Sequence, residues 1–153
     1  MVDLEHLIGS NEDGLVLPIE PVRGHLGVIR GEVRRFLDDH GIDDETWLLV
    51  ANELVANAVD VVAGADPDRC ATDGEPAILL SLAVDGDRVA LTVANVGPAF
   101  ELPDQSSMPP ATSARGRGLP LVRALVDGIR LHRVEGISIV TCWRAHPAVG
   151  RRT

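Results

Sequence analysis

Two pairs of strand-like segments in the second half of the chain constrain its fold most. Residues 77–84 read AILLSLAV and residues 88–96 read RVALTVANV, with the tripeptide DGD between them. Residues 129–134 and 137–145 flank the dipeptide EG in the same way. Apolar, β-branched segments separated by a short glycine-containing turn are typical of β-hairpins. We therefore predict two antiparallel hairpins.

Helical periodicity precedes the first hairpin. Apolar residues from Val22 to Leu37 recur at steps of three and four, which predicts an amphipathic helix that ends near Gly41. A second helix is predicted over residues 45–63, with an aspartate at 43 or 44 as N-cap and Gly64 at its end. Its predicted core face comprises Trp47, Ala51, Leu54, Val55, Ala58 and Val62.

A third, short helix is predicted between the hairpins, over LPLVRALVDG at residues 119–128. The segment LVLPIEP at residues 15–21 reads as an edge strand because its prolines cannot donate to a central ladder. This order of elements predicts an α+β sandwich with three helices on one face of a mixed, mostly antiparallel sheet. We expect one domain at residues 15–146, a flexible lead-in at 1–14 and a tail at 147–153.

Composition restricts the function. The chain has 153 residues and a net charge of −9, which argues against a nucleic-acid or anionic-membrane partner. The chain has 14 arginines and no lysine. Lysine-dependent phosphate loops and Schiff-base chemistry are therefore excluded. The chain shows no secretory signal and no apolar run long enough to span a bilayer, so we expect a cytoplasmic protein.

Two polar residues interrupt the second helix. Glu53 and Asn57 in ELVANAV are four residues apart and therefore share one helix face. With Val50 and Asp60 they form a stripe beside the core face. A solvated helix flank would explain this pattern. Alternatively, the Asn57 amide oxygen suits Mg²⁺, and the Glu53 carboxylate can accept a proton from an attacking hydroxyl.

Two glycine-containing segments follow in order. NVGP at residues 95–98 comes directly after a strand, where Gly97 allows a sharp turn or the close approach of a flat ligand. RGRGLPLV at residues 115–122 places glycines at a helix start, where free N–H groups bind anions. The candidate phosphate-binding residues of this segment are Arg115, Gly116, Arg117, Gly118 and Leu119.

Taken together, these motifs resemble those of the GHKL ATPases. ELVANAV resembles the N-box, NVGP the first glycine box and GRGLPLV the second. Within that superfamily the chain is similar to the bacterial anti-sigma factor serine kinases, which are common in actinobacteria. The resemblance implies a Bergerat-type nucleotide fold that binds ATP and Mg²⁺. It further implies a homodimer that binds a sigma factor and phosphorylates a serine of a small antagonist protein.

The resemblance also implies roles for individual residues. Asn57 would bind Mg²⁺, Glu53 would be the general base, and Gly97 would pack beside the adenine. Gly116 and Gly118 would hold the phosphates, and residues 99–115 would form a lid.

Asn95 departs from the family pattern, which has an aspartate at this position. If the Asn95 NH₂ group faces another donor, the mismatch costs about 1–3 kcal/mol, which predicts weaker ATP binding than in relatives with aspartate. If that group bonds adenine N1 directly, the loss is small. Ala99 also replaces a glycine that is often found in this box. The alternatives are a module that has lost ATP and acts by contact alone, and the ATPase domain of a histidine kinase. The chain shows no helix bearing a phospho-acceptor histidine, which disfavours the latter.

Overall fold

The computed structural model describes residues 14–19, 26–42, 45–65, 77–99, 102 and 118–145. These residues form five strands and three helices in the predicted order. The strands are β1 (Leu15–Ile19), β2 (Ile78–Asp85), β3 (Arg88–Val96), β4 (Gly128–Val134) and β5 (Ile137–Ala145). The helices are α1 (Leu26–Asp39), α2 (Thr46–Ala65) and α3 (Gly118–Leu125).

The strands form one sheet in the order β1-β2-β3-β5-β4. Within the described part of the chain, every strand pairing in this sheet is antiparallel. The predicted α+β class is confirmed, and so are both hairpins. The β2–β3 turn has Gly86 at φ 62°, and the β4–β5 turn has Glu135 and Gly136 at φ 47° and 83°. Positive φ at the first central residue of the β2–β3 turn, and at both central residues of the β4–β5 turn, matches the twist of a two-residue hairpin.

The end of α1 explains how the chain turns toward α2. Gly41 has a positive φ of 66°. The amide of Ile42 donates to the carbonyl of Leu37, and the amide of Gly41 donates to that of Asp38. This pattern is the Schellman cap, in which the residue after the glycine also packs back on the helix. Ile42 and Leu37 are both buried, as that motif requires.

Helix α2 supplies much of the core. All six residues of its predicted core face are at most 2% exposed. Two details of the prediction are wrong. Val50 is fully buried rather than part of a polar stripe, because the buried face is wide enough to include it. The helix also continues through Gly64 to Ala65. The predicted N-caps Asp43 and Asp44 lie outside the described residues.

The two faces of the sheet differ. The face that carries the helices holds the main core, to which β2, β3 and β5 contribute alternate residues. The opposite face holds a smaller apolar cluster around Leu79, Ala94 and Ile137. No helix in the described part of the chain combines the length and apolarity needed to cross a bilayer.

Candidate functional site

One row of paired residues crosses the sheet, and its side chains change from apolar to polar half-way. Ile19 pairs with Ile78, and Ile78 pairs with Asn95. Asn95 pairs in turn with Ser138, and Ser138 pairs with Arg133 on the edge strand β4. Side chains alternate along a strand, so Asn95 lies on the same face as Leu91 and Val93, which belong to the helix-side core. The row is therefore apolar on β1 and β2 and polar on β3, β5 and β4.

Asn95 and Ser138 are the buried polar pair of the described core. Asn95 is 1% exposed and Ser138 is not exposed at all. The Asn95 side-chain Nδ2 donates a 3.0 Å hydrogen bond to the carbonyl oxygen of Val96. This contact is with the protein backbone, so it differs from both arrangements considered from the sequence, a clash with a donor and a bond to adenine N1. The NH₂ group bonds a backbone acceptor, so the amide oxygen is the end that can accept from a ligand.

Gly97 follows this pair at the end of β3. Its φ of 133° is one that residues with a side chain rarely adopt, which explains the glycine in NVGP. Its amide donates to the carbonyl of Gly136 at 3.1 Å, and its own carbonyl accepts from Arg133 Nη2 at 2.6 Å. The glycine turn is therefore held against the β4–β5 hairpin from both sides.

Arg133 joins the glycine turn to the buried pair. Besides its bond to Gly97, it donates from Nη1 to Ser138 Oγ at 2.7 Å. Sequence reasoning missed both Arg133 and Ser138. A signal for Ser138 was present, because it stands at a core-facing position of β5, in step with Val140 and Cys142. Nothing in the sequence marked Arg133, since its role depends on strand pairing.

Helix α2 carries Glu53 and Asn57 one turn apart. Both side chains are half-buried, whereas Leu54, Val55 and Ala58 beside them are buried. The helix packs against β2 and β3, and α3 packs against α2. The two polar residues therefore lie at the border of the buried face of α2, and their role in a ligand site stays a prediction.

The second glycine box is described only in part. Gly118 and Leu119 begin α3, so the predicted helix start is confirmed, and their role in holding phosphates stays a prediction. Pro120 is buried in the first turn, where its missing N–H costs no hydrogen bond. Arg115, Gly116, Arg117 and most of the predicted lid at 99–115 lie outside the described residues.

Comparison with known families identifies the domain. The family model of the histidine kinase-like ATPase domain matches residues 19–143. The chain belongs to this family. The match spans every described helix and the whole of β2, β3 and β4, and it leaves out most of β1 and the last two residues of β5.

Among solved structures, this ATPase domain is similar to the crystal structure of the RsbU and RsbW domains of Rv1364c from Mycobacterium tuberculosis. The TM-score is 0.60 at 22% sequence identity, and the match covers 88% of this chain. It covers 33% of the other chain, so this chain spans about a third of that protein. The likeness shows a shared fold. A comparison with curated proteins finds no match.

Proposed function

We propose that this protein is an ATP-binding anti-sigma regulatory factor with serine/threonine kinase activity toward a small antagonist protein. The family supports nucleotide binding, and the likeness to a structure that contains an RsbW domain supports the anti-sigma role. The observation that carries ATP binding is the hydrogen bond from Asn95 Nδ2 to the Val96 carbonyl. It leaves the amide oxygen as the acceptor that an adenine amino group requires.

The N-box residues fit the remainder of the ligand. An amide oxygen is a suitable neutral ligand for Mg²⁺, which usually takes one or two protein oxygens and completes its shell with phosphates and water. Asn57 would hold the metal, and the metal would neutralise charge on the phosphates. Glu53, one turn away, would accept the proton of the attacking serine hydroxyl. Gly97 would lie against the base, and the residues 115–119 would bind the phosphates.

A second candidate function is supported by a different observation. Asn95 and Ser138 are almost fully shielded, so a base does not reach them without a change in the layer above. A domain that has lost ATP and regulates transcription only by protein contact would have no need to open this layer.

The partners that we propose are a sigma factor and its antagonist, bound by a cytoplasmic homodimer. The dimer rests on the family resemblance. Light scattering at tens of micromolar protein should report twice the monomer mass of 16.3 kDa. A monomer at that concentration would contradict the proposed dimer.

Calorimetric titration with ATP·Mg²⁺ distinguishes the two candidate functions. We expect the native protein to bind and Asn57→Ala to bind at least about tenfold more weakly, because a metal ligand is lost. Asn52→Ala is the matched control, since Asn52 is also a half-buried asparagine of α2 but lines a groove toward α1 with Arg30 and Arg34. Absence of ATP binding by the native protein would support the contact-only module.

A further inference from the structure

Arg133 controls the hydrogen-bonding direction of its neighbours. A guanidinium group only donates hydrogen bonds, so Ser138 Oγ is the acceptor in the 2.7 Å bond from Arg133 Nη1. One oxygen lone pair is thereby used, and the positive charge repels the hydroxyl hydrogen. Since Ser138 lies between Arg133 and Asn95 in the row, we expect its O–H to point away from Arg133 and toward the Asn95 side.

The hydrogen-bonding direction of Asn95 is also fixed, but Asn95 is the acceptor where Ser138 is the donor. Its NH₂ group is bonded to Val96, so its oxygen is the end available to a ligand. The buried pair therefore presents one acceptor, Asn95 Oδ1, beside one donor, the Ser138 hydroxyl. Adenine presents a donor at N6 beside an acceptor at N1. Hypoxanthine and guanine present the reverse, an acceptor at O6 beside a donor at N1.

We propose that Arg133 is a specificity-determining residue that selects adenine over 6-oxopurine nucleotides by holding Ser138 in the donor role. It acts through Ser138 and need not touch the base itself. The inference rests on the proposed ATP site. Without Arg133, the hydroxyl could rotate and accept from the N1–H of a 6-oxopurine, and the discrimination would fall. Asn95 and Ser138 are almost completely buried, so a mismatch between donors or between acceptors at this pair would lower affinity, because a mismatched buried group has no water to bond.

Titration with ATP and with inosine triphosphate tests this. The two ligands have bases of similar shape and reversed hydrogen-bonding edges. We expect the native protein to favour ATP by about tenfold or more, and Arg133→Met to reduce that ratio by on the order of tenfold. Arg130→Met is the matched control. Arg130 lies on the same strand, is exposed, and points to the opposite sheet face, so its loss removes the same charge and should leave the ratio unchanged.

A double-mutant cycle separates this role from a structural one. Ser138→Ala should also reduce the ATP preference, and adding Arg133→Met to it should change the preference no further, because the two residues act as one unit. If Arg133→Met does not fold, Arg133→Gln replaces it in the cycle. A glutamine amide can still donate to Gly97 but can also accept from Ser138, so its ratio should fall as well.

The outcomes are distinct. An unchanged ATP preference in the folded Arg133 variants, or an equal further loss in the Ser138→Ala background, overturns the role of Arg133 and leaves the ATP site standing. Failure of the native protein to bind either nucleotide overturns the ATP site, and the role of Arg133 with it.

Discussion

Asn95 and Ser138 face each other across β3 and β5, and both are buried on the helix side of the sheet. They lie far apart in sequence, yet they are adjacent members of one cross-strand row. Arg133 donates a hydrogen bond to Ser138, and the Val96 carbonyl accepts one from Asn95. The four groups together fix which atoms of the pair can donate and which can accept.

Replacing Asn95 by the family's aspartate should change stability more than ATP affinity. The carboxylate keeps an acceptor for adenine but cannot donate to Val96, and it places a charge in a buried position. We expect Asn95→Asp to keep ATP affinity within about tenfold and to lower the free energy of unfolding by about 1–3 kcal/mol. Calorimetry and thermal unfolding measure the two quantities. A much tighter complex would show that the native NH₂ group does meet a donor.

Glu53 and Asn57 should separate by phenotype. Glu53→Ala removes the proposed base and should lower phosphotransfer to a cognate antagonist by about 10²–10⁴-fold while ATP affinity stays near native. Asn57→Ala should weaken both, because Asn57 would hold the metal that neutralises charge on the phosphates. The measurements are phosphotransfer rate, ATP affinity and melting temperature. A native transfer rate in Glu53→Ala would show that Glu53 is not the base.

Cys142 should make the protein less stable at alkaline pH. Burial raises the pKa of its thiol from 9.0 to about 12, since the thiolate is poorly solvated there. Above pH 9 the unfolded chain releases this proton while the native state retains it until about pH 12. The free energy of unfolding should therefore fall by about 1.4 kcal/mol per pH unit in this window.

The composition makes this pH test clean. The chain has no tyrosine and no lysine, so few other groups titrate in that range. Urea unfolding between pH 8 and 11 should show the slope in the native protein and in Cys70→Ala, and a flatter dependence in Cys142→Ala. An equal slope in Cys142→Ala would exclude this thiol as the cause.

Gly128 should tolerate no side chain. It pairs with Trp143, and a Cβ at Gly128 would lie 2.2 Å from the indole ring. The ring would have to move and would lose its contact with the Arg88 guanidinium, which lies 5.9 Å from the ring centroid. Gly128→Ala should lower the free energy of unfolding by about 1–3 kcal/mol and change the tryptophan emission.

Gly31→Ala is the opposite case and serves as the control. Gly31 is exposed in the middle of α1, and apart from its own stretch of helix backbone nothing lies within 4 Å of an added Cβ. Alanine there should raise the free energy of unfolding by about 0.5–1 kcal/mol, because it restricts the unfolded chain and favours the helix. Chemical denaturation of both variants measures these changes. Similar effects of the two substitutions would contradict the packing of Trp143 on Gly128.

The sequence predicts the features whose cause is local. The core face of α2 follows from helical periodicity, and the hairpins follow from turn residues such as Gly86 and Gly136, which adopt the expected positive φ. Arg133 could not be found in this way. Its two hydrogen-bond partners are Ser138 and Gly97, and they lie next to Arg133 only because β3, β5 and β4 pair in one particular register. Val50 was misplaced because the width of a buried helix face depends on what packs against it.

The burial of Asn95 and Ser138 has a kinetic consequence. If ATP binds at this pair, the protein must first populate a state in which the covering layer has moved, because the pair is covered in this structure. The observed association rate should then level off at high ATP concentration, at a value set by the opening rate. A partner that holds the layer open would raise the apparent affinity for ATP by the factor by which it enriches the open state, with no change in any contact to the nucleotide.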